Sequence, residues 1–532
     1  MTESTLPPTE HPQIIQGGMG IAVSDWRLAR STSQEGALGV VSGTSINSVL
    51  ARRLQLGDIG GHMRRALEHF PVPKIAEDIL NTYYRVGGKG AEETFKLAPM
   101  YKIKTSLAGL RLTVAANFVE VFLAKEGHDG KVGINFLEKI QIPHLASAYG
   151  AMLAGVDYVL MGAGIPRQIP GALDTLSQNL KARYKLSVEN EATGDETYTE
   201  FDPAEIVGLP SDFPLTRPYF LAIIASATLA LSLAKKATGH VDGFVIEYPV
   251  AGGHNAPPRG QLKLTDRGEP IYGPKDDVDL AKIADIGRPF WLAGGYGGPD
   301  RLFRAMEHGA HGIQVGSAFS LCEESGVDPA LKQKALTSIV DHGIRVFTDA
   351  TASPTGFPFK VVPLEGSGSE AEVYQQRPRI CDLGYLRVPA KLDDGKIVLR
   401  CSSEPVDDYV KKGGEEEATV GKKCLCNALM ANVGQAQVQK TGFTETPILT
   451  SGDDVIMVTR FLKDGNTSYT AKQVLDFLRS PPSEDDTPAP VAVADAVAGN
   501  GHDTAERANG SHEGNGTSSQ VVAAETTTGE HT

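Results

Sequence analysis

Eight short apolar runs, each bounded by glycine or polar turn residues, constrain this chain more than any other feature; they span residues 13–16, 37–41, 131–136, 156–161, 219–225, 243–248, 289–293 and 312–315. Stretches of helical period lie between several of them, at 144–154, 228–238 and 299–308. Parallel strands cannot be joined by a tight turn, so strand and crossover helix must alternate, as they do here. Eight such units closing on themselves make an α/β fold of the TIM-type (β/α)8 barrel class, and an open doubly wound sheet is the alternative.

The barrel accounts for residues 1–44 and 131–328. Residues 45–130 read as a helical insertion, with helices at 62–70, 74–84 and 110–125, expected as a lid because an insertion after a barrel strand sits at the catalytic end. Residues 181–217 mix polar and strand-prone types, notably at 196–201, and predict a hairpin or loop excursion. A C-terminal α+β extension follows at 329–479, with helices at 331–348 and 470–478, strands near 385–388 and 397–401, and a return onto the barrel at 454–461. Residues 480–532 are rich in Pro, Gly, Ser, Thr, Ala and acid, contain no aromatic residue, and predict a disordered acidic tail.

That tail carries nine acidic residues against Arg507 alone, and so eight of the fourteen net negative charges. Neither part of the chain has the basic face that a phosphate backbone requires, so nucleic acid is not an expected partner. Residues 1–12 lack the charged start and apolar core of a signal peptide, and no unbroken apolar run is long enough to span a bilayer, so a cytoplasmic, membrane-free protein is expected. Of five cysteines, Cys322 stands apart, while Cys381, Cys401, Cys424 and Cys426 share one segment without paired CxxC knuckles; free thiols and no metal are expected.

Chemistry concentrates in glycine-dense strand ends. The seventh run ends in Ala293-Gly294-Gly295-Tyr296-Gly297-Gly298 and the eighth in Val315-Gly316-Ser317, turns that expose backbone N–H groups to an anion. Loops after strands seven and eight are where such barrels bind phosphate, although plain tight turns would look alike. After the first run comes Gln16-Gly17-Gly18-Met19-Gly20, suited to close approach of a flat ring or to a turn with a core methionine. After the sixth, Ala251-Gly252-Gly253-His254 sets a histidine on a loop at the catalytic end, where its near-neutral pKa suits proton transfer. Asn135 ends an otherwise apolar strand and either hydrogen-bonds a ligand or caps the next helix. No GxGxxG follows an early strand, and neither GxSxG nor HExxH occurs.

In the order and spacing of residues 12–20, 36–39, 242–254, 293–295 and 309–319, the chain resembles the nitronate monooxygenase (2-nitropropane dioxygenase-like) flavoproteins. The resemblance implies FMN as cofactor, with Gly18, Met19 and Asn135 near the ring, Gly252 and Gly253 beside it, and Gly294, Gly295, Gly316 and Ser317 at the phosphate. It implies His254 as the catalytic histidine and an alkyl nitronate as the small-molecule substrate, oxidised with dioxygen. Residues 255–259 depart from the family's common form and reshape the substrate pocket. Residues 45–130 and 349–427 look more like the flavin enoyl reductases of polyunsaturated fatty-acid and polyketide synthases, which implies NAD(P)H, an enoyl thioester and an acyl carrier protein or synthase partner as the alternative, including a docking role in such a synthase.

Overall fold

The computed structural model describes residues 11–192, 194–463 and 466–481; the expectations for 1–10 and for nearly all of the tail lie outside these residues. All eight expected strands form: β1 (Ile14–Gln16), β2 (Leu38–Ser42), β3 (Val132–Leu137), β4 (Tyr158–Gly162), β5 (Tyr219–Ile224), β6 (Gly243–Glu247), β7 (Phe290–Ala293) and β8 (Gly312–Val315). Each pairs in parallel with the next, and β1 closes on β8 through Ile14 opposite Ile313 and Gln16 opposite Val315. The sheet is therefore a closed barrel and not an open one.

Strand alternation divides the barrel's side chains between two environments. Ile15, Leu38, Val40, Tyr158, Leu160, Leu221, Val245, Trp291 and Ala293 point inward and fill the interior as a packed core. The outward residues meet the surrounding helices, of which Leu107–Lys125 is the longest among the described residues: it packs on Trp26–Gln34, Ile46–Gln55 and His144–Leu153. This 19-residue helix is long and apolar enough to cross a membrane, but here it is core. Its N-terminus is capped by Ser106, and that of Trp26–Gln34 by Asp25, whose carboxylate also holds Arg53 at 3.0 Å.

Three expectations change. Helix Leu107–Lys125 is the crossover between β2 and β3, so it belongs to the barrel; the remaining helices of 45–130, including Ile46–Gln55, pack against its flank. The helix expected at 331–348 runs only over Pro329–His342, because Gly343 takes the left-handed conformation (φ +63°) that stops it, and Phe347–Asp349 then pairs antiparallel with Phe359–Val361. The strand expected at 385–388 begins at Val388 and pairs with Ile397–Arg400; Tyr385 lies outside it, its hydroxyl buried against Asn47 and Ser48. The excursion at 181–217 is the expected hairpin, Ala182–Lys185 with Tyr198–Phe201.

The extension returns to the barrel at both ends. Helix Ala471–Arg479 packs against Trp26–Gln34, and the 3-10 segment Asp453–Phe461 lies against Pro329–His342 and the residues after β8. Between them, Leu425, Met430 and Ile448 share an apolar cluster with Ile21, Val49, Tyr101 and Ile140 of the barrel and its insertion.

Candidate active site

Continuing the inward parity of each strand by one step gives the layer at the C-terminal mouth of the barrel: Asn135 above Gly133, Glu247 above Val245 and Gln314 above Gly312, together with Gly17, Gly162, Ile223 and Ala293. All seven border one cavity. Its floor is thus apolar except for two amides and a carboxyl. The buried Oδ1 of Asn135 and Oε1 of Gln314 have no hydrogen-bond partner, and neither do Ser45 Oγ and Ser451 Oγ on the cavity's walls. Burying an unpartnered polar atom costs about 1–3 kcal/mol, so four at one cavity mark a place where a ligand completes the hydrogen bonding.

All ten residues singled out in the sequence meet there: Gly18, Met19, Asn135, Gly252, Gly253, His254, Gly294, Gly295, Gly316 and Ser317. The loop after β1 is tied to β8 by Gly17 N–H donating to Val315 O (2.8 Å). A side chain at Gly18 would place its Cβ 2.3 Å from that of Asn135, so only glycine lets the loop lie over the amide. Met19 borders Gly316. At the turn after β7, Gly294 and Gly295 have φ of +84° and +79°, and a Cβ on Gly294 would fall 2.7 Å from Tyr248 O.

His254 is held from the extension. Lys360 N–H donates to Gly253 O (2.9 Å) and Asn255 N–H to Pro358 O (3.0 Å), so Phe359 runs antiparallel beside the histidine, with ring centroids 4.8 Å apart. The imidazole Nε2 lies 2.7 Å from Ser353 Oγ, which in turn meets Thr355 Oγ1 at 2.8 Å. Burial lowers the His254 pKa to about 4, so the ring is neutral at pH 7 and able to accept a proton. Burial also raises Glu247 to about 8, leaving its carboxyl protonated there and able to donate.

Glu247, Gln314 and Ser353 escaped the sequence reading. The first two carry the same signal as Asn135, a polar residue at the inward parity near the end of an apolar strand. Ser353 carries none, since its partner is 99 residues away.

The cavity's cover also differs from expectation. Of residues 45–130 only Ser45 touches it, while the extension supplies Phe359, Tyr385, Leu386, Leu425, Cys426, Leu429 and residues 450–452 and 454. Cys426 is a free thiol, its pKa pushed far up by burial, and Cys381, Cys401 and Cys424 are likewise free. Among the described residues, no three His, Cys, Asp or Glu side chains form a group that could hold a metal ion.

No family model matches the sequence, and no curated protein does. Among solved structures the chain is similar to FabK from Thermotoga maritima, at 15% identity over 88% of this chain and 91% of that one, with a TM-score of 0.43. It is also similar to nitroalkane oxidase from Streptomyces ansochromogenes (13% identity, 88% and 94% covered, TM-score 0.42). A third similar structure is the enoyl reductase domain of MlnA from the macrolactin biosynthesis cluster of Bacillus amyloliquefaciens (11% identity, 88% and 92% covered, TM-score 0.42).

Proposed function

We propose that this chain is an FMN-dependent oxidoreductase that oxidises alkyl nitronates with dioxygen. The observation that carries the reading is the convergence of Gly18, Asn135, Gln314, Glu247, His254 and the glycine turns after β7 and β8 on one cavity. The donor set fits a flavin. Asn135 and Gln314 offer unsatisfied amide oxygens to a flat ring bearing N–H and carbonyl groups, Gly18 leaves space for that ring, and the turns at residues 294–295 and 316–317 line the same cavity, where their backbone amides suit a phosphate.

FMN bound there supplies the two-electron acceptor that the side chains lack. The chain's own residues bind and orient. Neutral His254, fixed through Nε2 by Ser353, meets the substrate through Nδ1, orienting the nitronate or taking a proton from its nitroalkane form. Protonated Glu247 adds no negative charge to a site that must admit an anion. Phe359, Leu425 and Leu429 exclude water above it. Aerobic turnover of propionate 3-nitronate or nitroethane, followed by nitrite release and anaerobic flavin bleaching, tests the reading; absence of both would sink it.

A second reading is favoured by the apolar cover. Ile140, Leu386, Leu425 and Leu429 suit an acyl chain, as an NAD(P)H-dependent enoyl reductase working with an acyl carrier protein would need. Rapid anaerobic bleaching by NADPH, reversed by an enoyl thioester, would select it over nitronate oxidation.

A further inference from the structure

A carboxyl of the chain's own stands beside the turns after β7 and β8. Residues 450–454 form a strap across the cavity: Gly253 N–H donates to Thr450 Oγ1 (3.0 Å), Gly452 N–H to Ser317 Oγ (3.0 Å) and Asp453 N–H to Val250 O (3.0 Å), while Lys360 pairs with Asp453 at 2.6 Å. The next residue, Asp454, borders the cavity beside Ser317. A side chain on Gly452 would come within 2.7 Å of one Asp454 carboxyl oxygen, and one on Gly297 within 3.4 Å of the other. The carboxyl therefore sits between the β7 turn and the strap and beside Ser317, in the space that a phosphate at Ser317 would use.

We propose that Asp454 is an internal competitor for the flavin phosphate, so that loading of FMN requires its carboxyl to take up a proton or to leave the turns. The inference rests on the reading of those turns as the FMN phosphate site. Two anions at one site repel, and the neutral acid can instead donate to phosphate. The charged groups acting on Asp454 are Asp453 beside it and Lys360 across the strap, and the Asp300–Arg301 pair faces the β7 loop at Gly298. Lys360 is engaged with Asp453 and so neutralises that neighbour first. Burial raises the Asp454 pKa, which favours the neutral form that phosphate needs. The sign follows: bound phosphate raises that pKa further, binding takes up a proton, and affinity falls as pH rises through the free carboxyl's pKa, by up to about tenfold per pH unit.

The test is titration of FMN and of riboflavin, which has no phosphate, into the apo full-length chain and into Asp454→Asn and Asp454→Ser from pH 5 to 9. The expected result is FMN bound at least tenfold more tightly by both variants at pH 8, with riboflavin affinity unchanged. The wild type should lose FMN affinity with rising pH more steeply than the variants, whose remaining slope is the phosphate's own. Unchanged or weaker FMN binding in the variants, with the wild type binding FMN, would overturn the proposal. A wild type that binds neither flavin would instead overturn the assignment of the cofactor.

Discussion

His254 and Glu247 are set to opposite protonation states at pH 7 by the same cause, burial, because burial disfavours whichever form is charged. His254→Asn keeps a hydrogen-bonding side chain near Ser353 but cannot exchange a proton. It is expected to lower kcat/KM for the nitroalkane form by roughly 10²–10⁴-fold while flavin content stays unchanged, a split that steady-state kinetics and absorbance check together. Glu247 leaves a trace in stability. Its carboxyl binds a proton in the folded state between its ordinary pKa of 4.5 and about 8, where the unfolded chain does not, so folding stability is full below that window and is lost as pH rises through it. Glu247→Gln removes this dependence, and its melting temperature relative to wild type should rise steadily from pH 5 to 8; a constant difference would mean that the carboxyl titrates normally. His254 and His144, both near 4, act in the other direction: stability is full above the unfolded pKa of 6.5 and is lost as pH falls toward 4.

At the scale of elements, the turns after β1 and β7 depend on glycine for backbone reasons that no side chain can meet. Gly294→Ala imposes a φ of +84° on a residue with a Cβ and drives that atom against Tyr248 O, a combined cost of about 1–3 kcal/mol. The expected outcome is at least tenfold weaker FMN binding by fluorescence titration, with the far-ultraviolet dichroism of the barrel retained. The barrel strands were legible in the sequence because each is a local signal, an apolar run with a glycine or polar stop, and the glycines of the site sit at those stops. The extension was not. Gly343 ending a helix six residues before the expected stop, and Tyr385 leaving a strand to bond Asn47 and Ser48, are decided by left-handed backbone and by partners 337 and 338 residues distant. The cover of the cavity was misplaced for the same reason: helices in 45–130 have strong local patterns, whereas Thr450–Asp454 acquires its position only through Gly253, Val250 and Ser317.

In the whole molecule, barrel and extension form one body. The apolar cluster of Leu425, Met430 and Ile448 with Ile21, Val49 and Ile140 buries side chains from both, and the histidine of the barrel shares a hydrogen bond with Ser353 of the extension. A chain ending at Gly343 would expose that cluster and lose one wall of the site. It is expected to aggregate or to bind no flavin, as size-exclusion chromatography with in-line absorbance would reveal, and a monodisperse, flavin-loaded product would show that the barrel is self-sufficient. The central claim is that the cavity at the barrel mouth holds one FMN. The most direct measurement is the identity and stoichiometry of the ligand released by denaturing the purified full-length chain after incubation with excess FMN, FAD and riboflavin and removal of unbound flavin. One FMN per chain is the predicted result; no retained flavin, or FAD in its place, would contradict it.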